Sequence, residues 1–212
     1  SGYLPSLSVA AICVHPTNTN IIYVLSGDRN TGDGYFVEEY HYRTESQGVF
    51  KTVDGGDTWF AAAPLDTMSI TARDLIMDTN NPSTLFAATT TGIYKTTNSG
   101  QSWEKIMTGS YWDLEFKPGS SDTIYAASNR RLFRSIDGGN SFFERYDIPT
   151  SRRISIAVTP ANPNLVMLLS GGSLTSDDVL NGVYRSINGG ATFASIYTGA
   201  DGDLFHNYIG SD

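Results

Sequence analysis

The chain contains one cysteine, Cys13, in 212 residues, and a lone thiol can form neither an internal disulfide nor a cysteine-rich metal site. Its neighbours Ala10, Ala11, Ile12 and Val14 are apolar, which points to a buried, inert thiol. Long hydrophobic runs are also missing. Apolar runs such as residues 21–25 and 165–169 are far too short to cross a bilayer as a helix. Basic residues are few, 14 against 22 acidic, and a net charge of −8 has the wrong sign for gripping a nucleic-acid backbone. Strong helix formers are sparse, whereas 21 glycines and 12% aromatics favour short strands and many turns. With 40% hydrophobic and 17% charged residues the chain is not disordered, and its length allows one large domain or two small ones. Ser1 starts directly in soluble sequence, so a signal peptide is expected to have been removed or to lie upstream.

An internal repeat organises the rest. Residues 48–59, 92–103, 132–142 and 182–193 share the pattern Ser/Thr, any, Asp/Asn, any, Gly, any, Ser/Thr, Trp/Phe. The positions are Thr52, Asp54, Gly56 and Trp59; Thr96, Asn98, Gly100 and Trp103; Ser135, Asp137, Gly139 and Phe142; Ser186, Asn188, Gly190 and Phe193. A match has odds on the order of 10⁻⁵ per starting position, so four copies are not chance. Ahead of each copy stand an apolar strand, a Pro/Asn turn around Pro16, Pro82, Pro118 or Pro160, and a second apolar strand. One unit therefore reads strand, turn, strand, loop, strand, glycine turn, strand.

Asp54, Asn98, Asp137 and Asn188 lie 44, 39 and 51 residues apart, the period of a four-stranded propeller blade. The expected fold is all-β: a β-propeller of four-stranded antiparallel blades, about four of them present, at roughly 9–63, 71–107, 111–147 and 153–198. Residues 1–212 read as a single, incomplete propeller domain, with 199–212 the start of a further blade or a tail. A larger propeller of six to eight or more blades is expected in the full-length chain.

The repeated residues point to architecture. A carboxylate or carboxamide oxygen in a tight turn accepts backbone N–H bonds, glycine supplies positive φ, and the Trp or Phe buries area between sheets. Asp54 and Asp137 alternate with uncharged Asn98 and Asn188, so their shared role is hydrogen-bond acceptance, not proton transfer or tight calcium binding.

These boxes resemble the Asp-boxes of BNR-type propellers, which occur in sialidases, xyloglucan-cleaving endoglucanases, sortilin-type receptor ectodomains, a photosystem II assembly factor and many secreted bacterial repeat proteins. Over residues 8–200 the chain is most similar to the bacterial repeat proteins and the xyloglucan-cleaving enzymes. The resemblance implies a secreted or cell-surface protein. The aromatic-Arg-Ile-Pro segment of sialidases does not precede Thr52. The sortilin-type cysteine-rich module is also missing from this sequence, and it would lie beyond the residues given.

In a blade with strands A to D, the A–B and C–D turns share one face, and the B–C and D–A loops the other. The Pro/Asn turns and the boxes make the first face uniform, so variation collects on the second. The first blade carries a B–C insertion at residues 27–43, and a shorter one spans 170–181 with Asp177 and Asp178. The first insertion sets Tyr35, Phe36, Tyr40 and Tyr42 beside Asp28, Arg29, Asp33, Glu38, Glu39, His41 and Arg43. Rings beside carboxylates suit sugar recognition, and long loops equally pack their own aromatics. Asp28, Asn30, Asp33 and Gly34 depart from a calcium loop, whose third ligand comes one residue earlier and which needs a later Glu, so neither metal nor cofactor is expected. Arg152 and Arg153, in a D–A connection, suit a carboxylate or simply solvent, and His15 reads as a turn residue.

Residues 199–206 resemble the stretch around a catalytic acid in the xyloglucan-cleaving family, except that Leu204 replaces a glycine. That resemblance implies Asp201 or Asp203, with Asp28 or Asp33, as the two carboxyls of an inverting glycoside hydrolase. The stronger expectation is a secreted or cell-surface binding or scaffolding module with a carbohydrate or protein ligand. A hydrolase fragment is the alternative.

Overall fold

The computed structural model describes residues 8–27, 46–65, 70–172 and 180–198. Among them there are sixteen strands and no helix, arranged in four four-stranded sheets, each in chain order. The first sheet holds β1 (Val9–Val14), β2 (Ile22–Ser26), β3 (Val49–Thr52) and β4 (Phe60–Ala61). The second holds β5 (Ala72–Met77), β6 (Leu85–Thr89), β7 (Gly92–Thr96) and β8 (Glu104–Thr108). The third is β9 (Tyr111–Phe116), β10 (Ile124–Ser128), β11 (Arg131–Ser135) and β12 (Phe143–Asp147). The fourth is β13 (Arg153–Val158), β14 (Val166–Gly171), β15 (Leu180–Ser186) and β16 (Ala194–Thr198). These are the blades of a β-propeller.

Burial falls from the middle of a blade to its rim. The second strand of a blade is covered on both faces, so β6 reads as the unbroken run Leu-Phe-Ala-Ala-Thr and is buried at every position. The fourth strand lies at the rim, and β8 spells Glu-Lys-Ile-Met-Thr with both ends exposed. A register shift recurs in the ladder between third and fourth strands, at Ile93/Tyr94, Leu132/Phe133 and Val183/Tyr184. Such a bulge adds local twist at an equivalent place in three blades.

The chain divides into two compact units, residues 1–116 and 117–212. In the first, Tyr23, Leu25, Leu75, Leu85, Ala87 and Tyr94 belong to one buried cluster. In the second, Tyr125, Leu132, Ile154, Ile156, Val166 and Leu168 form the counterpart, with Phe193 packed against it. Each such large side chain contributes about 1.5–3 kcal/mol through burial.

Candidate functional site

The boxes come first because they repeat. In each, the hydroxyl at the end of the third strand is buried, as Thr52, Thr96, Ser135 or Ser186. It donates to the Asp or Asn Oδ1 two residues on, at 2.6 to 2.8 Å. It also accepts the N–H of the glycine four residues on, at 2.9 to 3.1 Å. The same Oδ1 accepts the backbone N–H of Thr58, Ser102, Ser141 or Thr192. Only the last partner differs. Asp54 and Asp137 accept the hydroxyl proton of Thr58 and Ser141, whereas the Nδ2 groups of Asn98 and Asn188 donate to the Ser102 and Thr192 oxygens. A hydroxyl that gives or takes a proton lets Asp and Asn fill one turn equally. Hydrogen bonds led by the Thr52 hydroxyl hold Asp54 well below the usual carboxylate range, and those led by Ser141 pull Asp137 down to about 2. Neither is poised for acid–base chemistry.

The first unit carries a polar cluster on its inner strands. The Arg73 guanidinium, 1% exposed, lies 3.4 Å from the centroid of the Trp112 ring. Asp74 is fixed by two backbone amides, Leu75 on its own strand and Leu114 on β9, both at 2.9 Å. Half-buried Glu115 is pushed up to about 7 by burial, then by Asp113 and Asp74. Cys13 donates to the Leu75 carbonyl, and burial together with Asp74 pushes its thiol up to about 12, which leaves it protonated and unreactive.

The second unit gathers arginines at its B–C and D–A end. Arg130 makes a bidentate pair with Asp147, at 2.8 and 2.6 Å. Arg131 lies 3.5 Å from Glu144 and 3.9 Å from Asp147. The D–A connection is tied onto this turn, since the Ile148 N–H donates to the Arg130 carbonyl at 2.8 Å. Its next residues are held by Arg152 N–H to the Gly171 carbonyl and by the Ser151 hydroxyl to the Arg153 carbonyl. Among the described residues, Arg130, Arg131, Arg152 and Arg153 thus stand at one end, in a chain whose overall charge is −8. Arg152 is exposed and Arg153 half-buried.

Of the sequence candidates, only Arg152 and Arg153 lie here. Asp28, Arg29, Asp33, Tyr35, Tyr40, His41, Tyr42, Arg43, Asp177, Asp178, Asp201 and Asp203 lie outside the described residues. His15 is a turn residue: its Nδ1 accepts the N–H groups of Thr17 and Asn18. Sequence reasoning passed over Arg130 and Arg131, which a pair of charges in a short B–C turn signals. It also passed over Arg73, Trp112 and Glu115, whose signal is polar side chains inside strands otherwise read as apolar.

The chain matches the model of the photosynthesis system II assembly factor YCF48 family over residues 37–193, and it belongs to that family. The curated proteins contain no match. Among solved structures, an ancestral GH74 enzyme is 21% identical over 89% of this chain and 24% of its own, with a TM-score of 0.67. The GH74 xyloglucanase from Xanthomonas campestris is 16% identical over 88% of this chain and 29% of its own, at 0.59. An auxiliary nutrient binding protein from Bacteroides thetaiotaomicron is 13% identical over 85% and 38%, at 0.54. At these identities the likeness is one of fold, and the chain spans only 24% and 29% of the first two enzymes.

Proposed function

We propose that this member of the YCF48 assembly-factor family is a binding and scaffolding module whose ligand is an acidic polypeptide segment or a free C-terminal carboxylate. The observation that carries this reading is the arginine end of the second unit. Guanidinium groups recognise carboxylates through paired N–H donors, and Arg131 and Arg152 are exposed at this end. The family's description as an assembly factor supports a protein ligand over a glycan. The box carboxylates are occupied by their own turns, so recognition falls to the opposite, variable face. A secreted or cell-surface location is part of the same proposal.

The test is fluorescence anisotropy with acidic peptides carrying free or amidated C-termini, run beside a glycan array. The expected result is peptide binding that weakens at least tenfold in the double variant Arg131→Glu, Arg152→Glu and falls as salt rises. Glycan binding without peptide binding would sink the proposal.

A second reading, a glycoside hydrolase fragment, has one observation in its favour: Glu115 is pushed toward neutrality beside two other carboxyls, as a general acid must be. It requires hydrolysis of a β-glucan that Glu115→Gln abolishes.

A further inference from the structure

The ladder between third and fourth strands leaves one residue of the fourth strand unmatched in three blades: Ile106, Arg145 and Ile196. Two blades put isoleucine at this bulge, and the third blade an arginine. A second divergence follows the first strand. His15, Asp78 and Lys117 each donate their N–H across the Pro/Asn turn, to the carbonyls of Ile21, Thr84 and Thr123, and Thr159 stands at that place in the fourth blade. On its third strand every blade has a cation, Lys51, Lys95, Arg134 or Arg185. The third blade alone therefore combines this cation with a lysine after the first strand and an arginine at the bulge.

The three side chains gather within the second unit, at the box turn of the fourth blade. Arg134 Nη1 donates to the Gly189 carbonyl at 2.6 Å. Lys117 Nζ donates to Asn164 Oδ1 at 2.9 Å and lies 3.5 Å from where a Cβ on Gly189 would sit. Phe143 pairs with Arg134, and Arg145 is two residues further along the same strand, so alternation sets Arg145 on the Arg134 face. The two charges feel each other: burial first, and next the Arg145 charge, hold the Arg134 guanidinium below its ordinary pKa.

Nothing among the described residues offsets this repulsion. No carboxylate there pairs with Lys117, Arg134 or Arg145, whereas Arg130 and Arg131 have Asp147 and Glu144. The Nε groups of Arg134 and Arg145 are buried without a hydrogen-bond partner. A guanidinium has several N–H donors, and Arg134 uses one of them and Arg145 none. All three side chains are half-buried, which leaves them partly open to solvent and less screened than a surface charge.

We infer that the boundary between the third and fourth blades binds a phosphate group through Lys117, Arg134 and Arg145. A carboxylate would answer one of the three cations. A phosphate monoester brings a charge of about −1.5 to −2 at pH 7 and three oxygens, enough to accept from donors on three separate segments. The site lies at the box end of the blade, opposite the end that holds Arg130 and Arg131, and it does not rest on the peptide reading above.

The test is isothermal titration calorimetry of the chain with inorganic phosphate at neutral pH and fixed ionic strength. A phosphoserine peptide and its unphosphorylated form, run beside it, tell a phosphorylated partner from the free ion. Saturable binding of either phosphate probe is expected, at least tenfold tighter than that of acetate. Arg145→Ile installs the residue that the second and fourth blades carry at the bulge, so the circular dichroism spectrum should not change while binding weakens at least tenfold. Lys117→Thr, which installs the fourth blade's residue, should weaken it too. Arg185→Gln removes one charge from the place equivalent to Arg134 in the fourth blade and should leave binding as it is. Absence of saturable binding by both phosphate probes overturns the inference, as does acetate binding of equal strength. So does an Arg145→Ile variant that binds like the wild type, or an Arg185→Gln variant that loses as much.

Discussion

The box turns and the inner-strand cluster treat the same functional group in opposite ways. Asp137 is pulled down to about 2 while Glu115 is pushed up to about 7. The difference is the supply of donors. The box surrounds its carboxylate with the Ser135 hydroxyl, the Ser141 amide and the Ser141 hydroxyl. Glu115 instead lies half-buried beside Asp113 and Asp74, charges of its own sign. The boxes are interchangeable from blade to blade, and their chemistry is architecture. The inner strands are not: the place of Glu115 is taken by Cys13, Ile76 and Ala157 in the other blades. Where equivalent positions diverge, individual chemistry has room.

The largest way to break this comparison acts on the architectural side. Gly190 has φ +74°, and an added Cβ would lie 2.8 Å from the Tyr125 ring. Gly190→Ala should therefore destabilise by about 3 kcal/mol, the sum of left-handed backbone strain and overpacking. Urea unfolding measures it, and a loss under 1 kcal/mol would mean that the tyrosine is not seated on the glycine. Next comes Ser135→Ala. It removes the hydroxyl that donates to Asp137 and accepts from the Gly139 amide, at an expected cost of about 2 kcal/mol in the same assay.

How much of this was legible follows from what repeats. The blade pattern could be read because apolar strands, Pro/Asn turns and boxes recur at a near-constant period, and the Asp/Asn alternation disclosed acceptor chemistry before any geometry. The partners could not be read. That Thr58 donates to Asp54 while Ser102 accepts from Asn98 depends on hydroxyl rotors that both sequences allow equally. Arg152 and Arg153 were recognisable as a pair, but their grouping with Arg130 and Arg131 depends on the Ile148 to Arg130 hydrogen bond, a contact across 18 residues of chain. Arg73 and Trp112 are 39 residues apart and meet only because consecutive blades set β5 beside β9.

On the other side of the comparison, Glu115→Gln should stabilise the protein, and only at higher pH. The folded-state value lies above the ordinary 4.5, so the native state holds a proton that the unfolded chain has lost. Wild-type stability should thus fall as pH rises from about 4.5 to about 7, and the Gln variant should lack that fall. Allowing for partial solvation, the gain at pH 8 is about 1–2 kcal/mol, read from unfolding free energies across the pH range. A parallel pH dependence in both proteins would remove Glu115 from the argument.

The smallest expected effect sharpens the comparison most. Asp137→Asn creates in the third box the arrangement already present at Asn98 and Asn188, where Nδ2 donates to the neighbouring hydroxyl. At pH 7 the thermal midpoint should not move measurably. The sign at low pH is fixed by the downward shift. Stability from Asp137 is fully present above its ordinary 3.8 and is lost as pH falls through about 2, because the folded state resists the proton that the unfolded chain accepts. The Asn variant has no proton to take up there and should lose less stability on acidification between pH 4 and pH 2. A clear loss at pH 7 would show that the carboxylate's charge, and not only its acceptor oxygen, has a role in this turn, and the equivalence of Asp and Asn across the four boxes would fail.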